Sequence, residues 1–96
     1  MSGTSRTVAV TGASRGLGAA ISLELARRGF TVGCLSRKGI GPEDQEIPAE
    51  LAGSMINLPC DVTNEAEARA ALSTLVERTG ALNAIVNNAG IHKQGR

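Results

Sequence analysis

Aromatic side chains are almost absent from this 96-residue chain: Phe30 stands alone, with no tyrosine and no tryptophan. A platform for stacking single-stranded nucleic acid takes several aromatics, so that class of function is disfavoured. Cysteine is scarce too. Cys34 and Cys60 each sit in an apolar stretch, without Cys-x-x-Cys spacing or a nearby histidine. They read as small buried hydrophobes, not as a disulfide framework or metal site, and a reducing, cytoplasmic setting is the expectation. Charge of one sign is not in excess: the net charge is +1 and the basic residues are scattered. A general electrostatic grip on nucleic acid or a membrane surface is therefore not expected. No apolar run approaches the roughly 20 residues of a membrane span, and the polar stretch Met1 to Arg6 has no hydrophobic signal core. The hydrophobic fraction of 42% suits a globular protein, and the length limits it to one domain or part of one.

Strand and helix signals alternate. Thr7 to Thr11 is a β-branched run ending at Gly12, and reads as a strand. From Gly16 to about Arg28 the pattern turns helical, with Leu17, Ala20, Ile21 and Leu25 as the apolar stripe and Gly29 as the stop. Thr31 to Leu35 is a second strand. Gly39, Gly41, Pro42 and Pro48 break up the next segment, which leaves room for a short helix at Ala49 to Ala52. Met55 to Leu58 is a third strand, and Pro59 behind it places it at a sheet edge, because proline cannot donate to a ladder. Asn64 to Thr79 is the clearest helix: Ala68, Ala71, Leu72, Leu75 and Val76 form one stripe. Asn64 with Glu67 resembles a capping box, and Gly80 ends the helix. Leu82 to Asn87 is a fourth strand. This order predicts an α/β fold, a Rossmann-type doubly wound parallel sheet covered on both faces.

The first strand and first helix are joined by Thr11-Gly12-Ala13-Ser14-Arg15-Gly16-Leu17-Gly18. Gly12 permits a tight turn off the strand, Gly16 leaves space for a pyrophosphate, and Gly18 lets the helix pack closely. The N–H groups and positive dipole end of the helix then face the phosphates. A glycine triplet alone is weak, but a strand before it and a helix after it are the context that dinucleotide binding requires. The loop lacks the Gly-Lys-Ser/Thr ending of a phosphate-binding loop of nucleotide hydrolases.

An NAD binder usually carries an acidic residue at the end of its second strand, against the ribose 2′-hydroxyl. Here Ser36-Arg37-Lys38 occupies that place and no carboxylate appears until Glu43. Arg37, the Ser36 hydroxyl and Lys38 suit an anionic 2′-phosphate instead, and Arg15 is placed to reach it from the glycine loop. A charge-assisted hydrogen bond contributes about 1.5–3 kcal/mol, which predicts a roughly 10- to 100-fold preference for NADP(H). Arg37 and Lys38 also have a plainer reading as solvated loop charges.

Thr11 to Gly18, Cys60-Asp61-Val62 after the third strand, and Asn87-Asn88-Ala89-Gly90 after the fourth together resemble the short-chain dehydrogenases/reductases, nearest in look to 3-oxoacyl-carrier-protein reductases. The resemblance covers about Thr7 to Ile91. It implies that Gly12, Ser14, Arg15, Gly16, Leu17 and Gly18 wrap the phosphates and ribose. Asp61 would accept from the adenine amino group while Val62 packs on the ring. Asn88, Ala89 and Gly90 would border the riboses, and Asn87 would tie strands together. Asp61 as a helix cap, and Asn87 and Asn88 as turn residues, are the alternatives. His92 reads as a solvated loop residue.

The resemblance further implies a strand order of 3-2-1-4 with more strands to follow, and catalysis by Ser, Tyr and Lys with an Asn. The chain holds no tyrosine, and Ser54, Ser73 and Lys93 are not in matching places. The expectation is therefore the NADP(H)-binding portion of an oxidoreductase, with the catalytic half beyond Arg96. The parent would act on a small carbonyl or hydroxyl substrate, and homo-oligomerisation is open for it alone. An isolated piece of this kind is expected to be marginally stable. A non-catalytic dinucleotide-binding module, a non-functional truncation and an assembly piece pairing through the fourth strand are the other readings.

Overall fold

The β-branched run near the N-terminus forms strand β1 (Thr7–Thr11), and the elements follow in the expected alternation: α1 (Gly16–Arg27), β2 (Thr31–Ser36), α2 (Ala49–Ala52), β3 (Met55–Pro59), α3 (Glu65–Thr79) and β4 (Ala84–Val86). This is a computed structural model that describes residues 6–43 and 46–88. The four strands form one parallel sheet in the order β3-β2-β1-β4. Val10 lies opposite Cys34 on one side and Val86 on the other, and Cys34 opposite Asn57. β3 is an edge strand, as Pro59 requires.

Both faces of the central strands are covered. On one face Val8, Val10, Ala13, Val32 and Cys34 meet Ala26 of α1, with Ile21, Leu25, Phe30 and Leu51 around them. On the other, Ala9, Leu35, Leu58 and Cys60 meet Ala71 and Leu75 of α3. Leu75 is fully buried, a position that contributes roughly 1.5–3 kcal/mol by area. It sits over Gly33 so closely that a Cβ there would lie 2.5 Å from a Leu75 methyl. Coverage thins toward β4, where Ile85 is 51% exposed.

The buried face of the helix on the glycine loop is rotated from the predicted stripe, keeping Ile21 and Leu25 against the core but leaving Leu17 and Ala20 outside. Gly18, Ala19, Ser22, Leu23 and Ala26 are buried, whereas Leu17 is 54% exposed and Ala20 is also outside. Ile21 and Leu25 are half-buried and pack against the core. Small side chains let the α1 backbone approach the sheet, so closeness rather than hydrophobicity selects the inner face.

Helix ends follow local chemistry. Gly29 (φ 98°) donates to the Ala26 carbonyl and Phe30 to that of Leu25, the paired bonds of a Schellman stop. Asn64 caps α3 through its side chain, which accepts from Glu67 N–H. The reciprocal half of the predicted capping box is redirected: the Glu67 carboxylate accepts from Asp61 N–H at 2.9 Å. β4 is shorter than Leu82 to Asn87 because the asparagines flanking it bond β1 through their side chains. Asn83 exchanges two bonds with the Thr7 backbone, one through its own N–H and one through Oδ1, each 2.8 Å. Asn87 Oδ1 accepts from Thr11 Oγ1 at 3.2 Å, so Asn87 ties strands as expected.

Candidate functional site

In an open parallel sheet, ligands bind beyond the carboxyl ends of the strands where the strand order reverses. Here that point lies between β1 and β4, and the glycine-rich turn sits there. Gly12 (φ 63°) leaves the strand in the left-handed region, which favours glycine. Ala13 then donates to the Leu35 carbonyl at 3.1 Å, pinning the turn to the end of β2. Arg15 is the extended N-cap residue of α1, and Gly16 (φ 57°) turns the chain into the helix.

Two of the glycines do opposite things. A Cβ on Gly16 would meet no atom of the described residues within 4 Å. A Cβ on Gly18 would lie 2.1 Å from the Gly12 carbonyl oxygen and 2.7 Å from Asn88 Nδ2. Asn88 is fully buried and donates to that carbonyl at 3.3 Å; its Oδ1 has no hydrogen-bond partner among the described residues. The Asn88 side chain lies beneath the turn, clamping it to the segment that follows β4.

The start of α1 is suited to an anion. Arg15 supplies no side-chain cap and the first turn contains no acidic residue. Backbone N–H groups and the helix dipole therefore present positive potential at Gly16.

The β2–α2 segment returns to the glycine-rich turn at Glu43. Ser36 is buried and donates its hydroxyl proton to the Ile40 carbonyl at 2.9 Å, bracing the loop from inside. Arg37 and Lys38 follow, both exposed. The Arg15 side chain, 74% exposed, reaches the same loop and pairs with Glu43 at 3.0 Å. The Glu43 N–H also donates to the Ser14 carbonyl at 2.8 Å. The return of Glu43 onto the turn is the feature that sequence reasoning missed. Its only trace in the sequence is the Gly39-x-Gly41-Pro42 spacing, which frees the loop to bend back.

Asp61 and Val62 follow β3. Asp61 Oδ1 accepts from the Thr63 N–H at 3.0 Å and from Thr63 Oγ1 at 2.6 Å, and its carbonyl accepts from Asn64 N–H at 2.9 Å. Asp61 thus braces the turn ahead of α3 and is not its cap, which is Asn64. Val62 is 39% exposed, an apolar surface of the kind a flat ring covers. Ala89, Gly90 and His92 lie outside the described residues. Both cysteines are buried: burial pushes the Cys34 thiol up to about 11, and burial with the nearby Glu67 and Asp61 charges raises that of Cys60. Neither is a nucleophile near neutral pH. Among the described residues there is no metal-ligating cluster and no helix long and apolar enough to cross a membrane.

Comparison with known proteins agrees with this geometry. The sequence pattern described as short chain dehydrogenase matches residues 6–96. An NADPH-dependent pterin aldehyde reductase of Arabidopsis thaliana is 41% identical over 88 residues, covering 88% of this chain and 35% of that protein. The menthone neomenthol reductase of Mentha piperita superposes with a TM-score of 0.78 at 32% identity, over 88% of this chain and 31% of that one. The NADH-dependent reductase A1-R′, solved in complex with NAD, superposes with a TM-score of 0.68 at 31% identity, over 86% of this chain and 35% of that one. The chain spans about a third of the length of the curated relatives it matches.

Proposed function

The chain belongs to the short-chain dehydrogenase family, and from that premise we propose that it forms the NADP(H)-binding portion of an oxidoreductase acting on a small carbonyl or hydroxyl compound. The observation that carries the cofactor choice is the pairing of two arginines with a missing acid. Arg15 and Arg37 flank the bond that joins Ala13 to Leu35, while the end of β2 carries Ser36 where an NAD binder would carry a carboxylate. One relative is named for NADPH and another for NADH, so the choice rests on these residues.

The residues fit the cofactor on the structure's own terms. The space at Gly16, where a Cβ would meet no described atom within 4 Å, and the acid-free first turn of α1 suit a pyrophosphate. Gly12, Ser14, Arg15, Gly16, Leu17 and Gly18 would line that region; Arg37, with Ser36 bracing its loop, would face the 2′-phosphate. Asp61 and Val62 would border the adenine, and Asn88 with Ala89 and Gly90 the riboses. When bound, the cofactor supplies or accepts a hydride. The described residues bind and orient it; the group that exchanges a proton with the substrate oxygen belongs to the remainder of the catalytic fold. Cofactor half and catalytic half are in this proposal parts of one domain.

The test is the ratio of NADPH to NADH dissociation constants. The expected ratio favours NADPH by roughly 10- to 100-fold, the equivalent of one charge-assisted contact. Arg37→Asp should reverse it, because the carboxylate repels the 2′-phosphate and accepts from a 2′-hydroxyl. An unchanged ratio would sink the assignment.

A further inference from the structure

The loop that carries Arg37 does not simply run out into solvent. Gly39 (φ 71°) lies against Pro59, close enough that a Cβ would come within 3.1 Å of the ring. Gly41 lies against Asn57, where a Cβ would meet Oδ1 at 2.6 Å. These glycines let the loop lie flat on the β3 edge and fold back, so that residue 43 arrives at the glycine-rich turn. There the Glu43 backbone bonds Ser14 and its carboxylate bonds Arg15 Nε. An anionic group is thus held on the arginine of the turn by a loop built to put it there.

We infer that Glu43 is a specificity-determining residue, an internal anion that competes with the cofactor's 2′-phosphate for Arg15. This rests on the NADP(H) reading above. Without a 2′-phosphate, as with NADH, the Arg15–Glu43 pair persists and costs nothing. With one, Arg15 exchanges the carboxylate for the phosphate, and part of the phosphate's attraction is spent on breaking the pair. Glu43 therefore narrows the gap between the two cofactors that Arg15 and Arg37 open. The pair is largely exposed, with side chains 74% and 40% accessible, so its strength is that of a surface ion pair and depends on salt.

The test is titration of the full chain with NADPH and with NADH at low ionic strength, for wild type, Glu43→Gln, Arg15→Gln and the double variant. Glu43→Gln keeps the shape and the backbone bond to Ser14. It is expected to tighten NADPH by about 2- to 5-fold, the range of an exposed pair, and to leave NADH unchanged. In the Arg15→Gln background the gain should vanish. Weaker or unchanged NADPH binding in Glu43→Gln would overturn the inference, as would equal tightening of both cofactors. A gain that survives in full without Arg15 would overturn it as well, since the effect would then be direct repulsion. Failure of the underlying reading looks different: the wild type itself would show no preference for NADPH, or bind neither cofactor.

Discussion

Replacing Gly18 with alanine and Gly16 with alanine should separate folding from binding within one turn. The Gly18 Cβ would sit 2.1 Å from the Gly12 oxygen and 2.9 Å from its carbonyl carbon, both backbone atoms that cannot swing aside. Ordinary contact begins at 3.4 Å, so the start of α1 must retreat by more than about 1 Å, and overpacking of this kind costs typically 1–3 kcal/mol. The methyl also lands 2.7 Å from Asn88 Nδ2, the atom that bonds Gly12. Stranding that buried amide adds about 1–3 kcal/mol. The total, about 2–6 kcal/mol, is large beside the 5–15 kcal/mol of a typical domain.

Gly16→Ala meets no atom of the described residues within 4 Å, and its cost is that of a Cβ at φ 57°, about 1–2 kcal/mol. Yet that Cβ would stand in the space assigned to the pyrophosphate, so NADPH affinity should fall by about 10-fold or more, the equivalent of one lost charged hydrogen bond. Urea unfolding gives the first quantity, read as a shift in midpoint at constant slope, and NADPH titration of the folded variants gives the second. The reasoning fails if Gly18→Ala loses less stability than Gly16→Ala, or if Gly16→Ala binds NADPH like the wild type.

Gly33→Ala and Leu75→Ala should each destabilise, by about 1–2 kcal/mol through overpacking and about 2–5 kcal/mol through the cavity. The double variant should cost less than their sum by at least about 0.5 kcal/mol, since the new methyl enters space Leu75 vacates; simple additivity in denaturant unfolding would refute the contact. Stability should also fall in alkali. Burial holds the Cys34 thiol protonated up to about 11 against an ordinary 9.0, so the unfolded chain loses its proton first. The stabilisation is therefore complete below about pH 9 and lost between pH 9 and 11, at up to about 1.4 kcal/mol per pH unit. Cys34→Ala should flatten that limb in unfolding measured from pH 8 to 11, and an unchanged slope would count against the assignment.

Strand order, helix positions and the glycine turn were readable because each has a local cause: β-branched runs, the α3 stripe, glycines at Gly29 and Gly80. The inner face of α1 was not, because a periodicity argument weighs hydrophobicity and overlooks Gly18, Ala19 and Ser22, whose use is to be small. The redirected Glu67 and the shortened β4 escaped for a related reason. A carboxylate or carboxamide can satisfy backbone groups of another segment, and sequence spacing does not say which. In the sequence Glu43 is only a carboxylate too late in the chain to serve a ribose. Its partner Arg15 lies 28 positions away, and the path between them depends on two glycines fitting the surface of β3.

These contacts divide into two kinds. The turn is held by Leu35, Glu43 and Asn88, from three separate segments, and the bonds end on its own backbone at Ala13 N–H, the Ser14 carbonyl and the Gly12 carbonyl. Two of the three run backbone to backbone and do not depend on which side chain the residue carries. The side chains that face outward, Arg15, Arg37 and Glu43, are all exposed. On the NADP(H) reading, scaffold and selectivity rest on different atoms. Exchanging the arginines and the glutamate should then retune cofactor choice while the turn keeps its shape, whereas Gly18 and Asn88 cannot change without moving the turn itself.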